Sequence, residues 1–84
     1  MKELHLNIVS PERKLFDGPI ESVTLPGTLG TFTILTHHAP IVSSLLPGRI
    51  TFRTGGEERQ IAIQGGFVEM SDNCVSVCIE EKED

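Results

Sequence analysis

Hydrophobic residues recur with a period of two along almost the whole chain, and this constrains the fold more than any other feature. Leu4, Leu6 and Ile8 alternate with His5 and Asn7. Val23 and Leu25 alternate with Ser22 and Thr24, and Phe32 and Ile34 with Thr31 and Thr33. Ile50 and Phe52 lie among Arg49, Thr51 and Arg53, and Ile61 and Ile63 are flanked by Gln60 and Gln64. Val75, Val77 and Ile79 alternate with Cys74, Ser76 and Cys78. Successive side chains of a strand point to opposite faces, so each run predicts a strand with one face on a core.

Turn residues punctuate these runs. Ser10-Pro11 ends the first, and Asp17-Gly18-Pro19 predicts a turn before the next. Pro26-Gly27 and Pro47-Gly48 each predict a tight turn, because proline presets φ and glycine accepts a positive one. Gly55-Gly56 and Asp72-Asn73 have the form of hairpin turns, and Gly65-Gly66 predicts a break or bend in the sheet. Short strands at this spacing predict an all-β fold, a flattened β-sandwich or barrel of mainly antiparallel strands. With 84 residues the chain forms one domain. Its expected bounds are residues 1–79, followed by the acidic tail Glu80-Glu81-Lys82-Glu83-Asp84. One segment departs from the period of two. Ile41, Val42, Leu45 and Leu46 have a helical spacing, but Pro40 and Pro47 leave room for only about one and a half turns. A bent strand or single turn is expected there, with its second apolar row turned toward a partner.

Composition narrows the function classes. The net charge is −5, and Arg49, Arg53 and Arg59 form no basic run. The alternative reading, a small OB-like β-barrel binding module, would need a basic groove and stacking rings, and the acidic balance and the absence of Trp and Tyr count against it. On a strand, Cys74 and Cys78 would share a face at about 13 Å, beyond the ~7 Å Cα limit for a disulfide. Two free thiols, expected as small buried apolar residues, fit a reducing compartment. The first strand follows no leader pattern and no run approaches a membrane span, so a cytoplasmic location is expected.

Catalytic equipment does not converge. His5, His37 and His38 raise a cupin-like metal site, but adjacent strand residues point to opposite faces, and a structural or interface pair is expected at His37-His38. The serines lie in no nucleophile elbow, and Gly27-Thr28-Leu29-Gly30 lacks the lysine of a phosphate-binding loop. Glu57-Glu58 predicts a solvated edge.

The segments LHLNIVSPERKLFDGPIESVTLPGTLGTFTIL, HHAPIVSSLLPGRI and QGGFVEMSDNCVSVCIE, in that order, strongly resemble the epsilon subunit of bacterial F-type ATP synthase. The likeness runs from Leu4 to Ile79. It implies a flattened sandwich of about ten strands, with no catalytic residues, no cofactor and no metal. The partners it implies are the gamma subunit and the c-ring, as part of the F1 sector on the cytoplasmic face of the bacterial membrane. In that role the subunit couples proton flow to ATP synthesis. By the same resemblance Thr28, Leu29, Gly30 and Thr31 face the c-ring, and His38, Ala39, Pro40, Val42 and Ser43 face gamma. Family members commonly carry acidic residues where this chain has Leu29 and Thr31, so packing is expected to replace a charge pair. The family's usual glycine before the second histidine is here His37, which is expected to remove a positive-φ option. Longer members continue into a helical hairpin that inhibits hydrolysis and in some cases binds ATP. The sequence stops at Asp84, so neither property is expected of this chain.

Overall fold

A computed structural model describes residues 3–81, which form eight strands and no helix. These are β1 (Leu4–Val9), β2 (Lys14–Ile20), β3 (Ser22–Gly27), β4 (Gly30–Ile34), β5 (Ile41–Leu45), β6 (Gly48–Thr54), β7 (Glu57–Ser71) and β8 (Cys74–Glu81). They hydrogen-bond in the order β2-β1-β8-β7-β5-β3-β4, with β6 pairing β3 and β7. Every pair is antiparallel except β1 with β8.

β7 makes the fold two-layered. Its first half, from Glu57 to Ile63, pairs with β6. Its second half pairs with β8 and β5. The change of partner coincides with a bulge between Ile63 and Gly65, where three β7 residues, Ile63, Gln64 and Gly65, are accommodated against Glu81 and Glu80 of β8. The extra residue shifts the inward positions from odd (Ile63) to even (Val68, Met70). Gly65 and Gly66 take φ of 157° and 150°, so the glycine pair bends the strand without ending it. β5 and β6 turn the matching corner at Leu46-Pro47. One layer is therefore β2-β1-β8-β7-β5, the other β7-β6-β3-β4.

All eight strands feed one core, from Leu4, Leu6 and Ile8 through Leu25, Ile50 and Phe52 to Val75, Val77 and Ile79. The alternating positions read from the sequence are the buried ones, except that Phe32 and Ile61 are partly buried against this core. The molecule measures 39 × 26 × 20 Å, and its thin dimension suits two sheets about 10 Å apart plus outward side chains. Across the open seam between β2 and the first half of β7, the Arg59 guanidinium stacks over Phe16 and Phe52 at 5.5 and 5.7 Å. At the end of β8, Arg13 donates from Nη2 to Glu81 at 2.6 Å and Ser10 Oγ donates to the same carboxylate at 3.1 Å.

Several expectations change. Asp17-Gly18-Pro19 is not a turn; it lies within β2, paired with Asn7, Leu6 and His5. β2 is an edge strand, where proline's missing N–H breaks no ladder, and the chain bends at Glu21 instead. Pro26 and Gly27 likewise belong to β3, and the reversal falls on Thr28-Leu29. Cys74 and Cys78 are free and share a face as expected, but both are exposed rather than buried, because Val75, Val77 and Ile79 take the inward positions. Ile41–Leu45 is a strand, with Val42 turned outward. Among the described residues the count is eight rather than about ten, with Glu57–Ser71 running unbroken through its bulge and counting once. The final residues of the acidic tail, 82–84, lie outside the described residues.

Candidate docking surface

The β3–β4 turn is built to project. Gly27 pairs with Gly30, leaving Thr28 and Leu29 at the tip. A Cβ on Gly27 would lie 2.7 Å from the Phe32 ring and 2.8 Å from the Gly30 carbonyl oxygen, so only glycine fits beneath the turn. Gly30 has φ of 128°, again a glycine conformation. The result is a fully exposed Leu29, with Thr28, Gly30 and Thr31 exposed beside it. The four residues assigned to the c-ring by resemblance therefore form one contiguous tip.

The residues assigned to gamma are less unified. Ala39 and Pro40 are exposed before β5, and His38 is half-buried. His38 N donates to the Leu35 carbonyl at 3.1 Å. Its Nδ1 lies 2.7 Å from the Ala39 carbonyl oxygen, an acceptor, so Nδ1 carries the proton. Val42 is 74% exposed, whereas Ser43 points the other way and is half-buried. Alternation along β5 thus separates these neighbours. His37 and His38 lie in a turn rather than a strand, so their separation does not come from strand alternation. His37 adopts φ of 66° despite its side chain. The left-handed conformation is held because His37 N donates to Asn73 Oδ1 at 2.7 Å.

Asn73 escaped the sequence reading as anything but a turn residue. It is 6% exposed, has φ of 60°, and its carbonyl accepts from His5 N at 2.8 Å. One residue therefore ties the β7–β8 hairpin to two other segments, to the His37 turn through its side chain and to β1 through its carbonyl. The outer face of the first layer was also missed. Register places Ser44, Phe67, Cys78 and Val9 in a row across β5, β7, β8 and β1, and Phe67 is 51% exposed. A shallow apolar groove runs past Phe67, Cys78 and Val9 toward Pro11. A sequence signal did exist for the docking region as a whole. From Ser22 to Gly48 there is no Asp, Glu, Lys or Arg.

Charge sits elsewhere. Beside β1, His5 and Lys14 both reach Asp17, and the hydrogen bond from His5, then that from Lys14, holds the Asp17 carboxyl below the usual carboxylate range. Hydrogen bonding to Arg13 does the same for Glu81. Among the described residues no three His, Cys, Asp or Glu side chains gather where they could hold a metal ion. Nor among the described residues is any helix long and apolar enough to cross a membrane.

Known proteins share this small two-layered sandwich. Residues 3–84 match the family described as ATP synthase, Delta/Epsilon chain, beta-sandwich domain. The chain belongs to this family. It is 42% identical over 79 residues to the ATP synthase epsilon chain of Maricaulis maris, covering 94% of this chain and 59% of that one. The epsilon chain of Caulobacter vibrioides is 36% identical over 80 residues, covering 95% of this chain and 93% of that one. The chain thus spans about three-fifths of several longer relatives and nearly all of a shorter one. A chain in the solved Euglena gracilis mitochondrial ATP synthase assembly of OSCP, F1 and c-ring superposes with a TM-score of 0.86 at 26% identity, over 94% of this chain and 51% of that one. The Tetrahymena thermophila central stalk and c-ring structure shares the fold, with a TM-score of 0.79 at 17% identity over 95% of this chain and 65% of that one.

Proposed function

We propose that this family member is a non-catalytic rotor subunit of an F1Fo ATP synthase, joining the gamma subunit to the c-ring. The observation that carries the reading is the 36% identity to the Caulobacter epsilon chain over nearly the full length of both chains. In this role the sandwich is a mechanical part. Continuous ladders through β7 and one core shared by all strands resist shear, so torque on one end reaches the other. The tip Thr28–Thr31 meets the c-ring. His38, Ala39, Pro40, Val42 and Ser43, continued by Phe67 on the outer face, meet gamma. The subunit lies at the cytoplasmic face of the bacterial membrane and reaches it only through the complex.

Co-purification with the cognate gamma subunit tests this. The expected result is a stable stoichiometric complex that Val42→Asp and Phe67→Asp weaken. Failure of the folded wild-type chain to bind folded gamma would overturn the reading.

A further inference from the structure

We infer that Asn73 is the positioning residue of the His37 turn: from the β7–β8 hairpin, its side chain sets the conformation in which His38, Ala39 and Pro40 are presented to gamma. This rests on the gamma reading above and names what shapes that surface. β4 ends at Ile34 and β5 begins at Ile41, so the residues between them cross from one layer to the other without a ladder. The bond from His38 N to the Leu35 carbonyl at 3.1 Å closes a β-turn over residues 35–38. Its third residue, His37, has φ of 66°, while Thr36 has no positive φ. That is the pattern of a type II turn, whose third position calls for glycine or asparagine. A histidine there favours leaving the left-handed region, so the turn's own sequence does not secure its shape.

The constraint comes from a distant segment. His37 N donates to Asn73 Oδ1 at 2.7 Å, across 36 positions of sequence. The acceptor itself is held firmly. Asn73 is 6% exposed, and with Asp72 it makes the turn between the paired Ser71 and Cys74. Its carbonyl accepts from His5 N at 2.8 Å, which fixes the hairpin against β1. The far end of the crossing segment is fixed as well, where Ile41 pairs with Met70. If His37 left the left-handed region, its N–H would swing off Oδ1 and a largely buried amide would lose its partner. The shape is passed on to the next residue. His38 Nδ1–H is held 2.7 Å from the Ala39 carbonyl oxygen, which leaves Nε2 as the ring's acceptor. Asn73 is too buried to meet a partner directly, so its influence on docking runs through the turn.

The test measures gamma affinity and turn structure together. Asn73→Gly, which keeps the left-handed backbone of the hairpin, is expected to weaken binding to the cognate gamma subunit by about five- to tenfold. In the same variant the His37 amide is expected to lose its protection from hydrogen exchange, and nitrogen NMR of His38 to move away from the Nδ1–H tautomer. His37→Gly accepts the left-handed φ unaided. Alone it is expected to bind as wild type, and added to Asn73→Gly to restore affinity to within about twofold of wild type. Ile63→Val, which costs stability in the core, is expected to leave gamma affinity unchanged. Wild-type affinity in Asn73→Gly, with the His37 protection gone, overturns the positioning role and leaves the gamma reading standing. An equal loss of affinity in Ile63→Val overturns that role too, because the effect is then one of stability. A double variant as weak as Asn73→Gly overturns the route through His37. Failure of the folded wild-type chain to bind gamma overturns the gamma reading, and the inference with it.

Discussion

Gly66 passes so close to β8 that a side chain there would overlap the Cys78 carbonyl oxygen and place its Cβ 2.8 Å from Ile79 Cα. Its φ of 150° adds a second bar to any L residue. Gly66→Ala is expected to lower stability by about 2–4 kcal/mol, read as the shift in urea midpoint. Asn73 permits a cleaner dissection. Asn73→Gly keeps the left-handed backbone and removes only the hydrogen bond to His37 N, for an expected loss of about 1–2 kcal/mol. Asn73→Ala loses that bond and also strains the backbone, by about 1 kcal/mol more. The same measurement ranks the two, and equal effects would place the whole cost in the hydrogen bond. Sequence pattern could not show this strut. A hydrogen bond joining residues 36 positions apart leaves no mark on local spacing. It also explains how His37 occupies a positive-φ conformation that the family resemblance associated with glycine.

At the scale of elements, periodicity read the strands well and punctuation read the turns unevenly. Gly55-Gly56 and Asp72-Asn73 are two-residue turns with positive φ at both positions, as their composition predicts. Asp17-Gly18-Pro19 and Pro26-Gly27 are not, because strand pairing and position at an edge override local preference. The ends of the strands are also tied by charge. Glu81 binds Arg13 and Ser10, joining the β1–β2 connection to β8, while Asp17 binds His5 and Lys14. Both carboxyls are held below their ordinary values. Their contribution is therefore complete above the unfolded carboxylate pKa of about 4 and is lost as pH falls through the lower folded values. The melting temperature is expected to fall on acidification below about pH 4, and Glu81→Gln to reduce that fall while lowering the melting temperature at neutral pH. Because the groups are exposed, both changes are small. A pH profile as steep in Glu81→Gln as in wild type would remove the Arg13 contact as its source.

At the scale of the molecule, β7 lies in both layers, so neither layer can lose its packing alone. Unfolding is expected to be two-state, with calorimetric and van't Hoff enthalpies in agreement; a separate low-temperature transition would show that the β3-β4-β6 layer melts independently. By itself the sequence determined the strand faces and the core, because a period of two is a local consequence of backbone geometry. It also held the family likeness and the charge-free run from Ser22 to Gly48. Only the tertiary structure decided which turns are real, where β7 bends, and why His37 is left-handed. Only the fold, too, brings Leu46 against Pro26 at the base of the β3–β4 turn. Those outcomes depend on hydrogen bonds and close contacts between distant segments, whose partners exist only after the sheet has folded over onto its core.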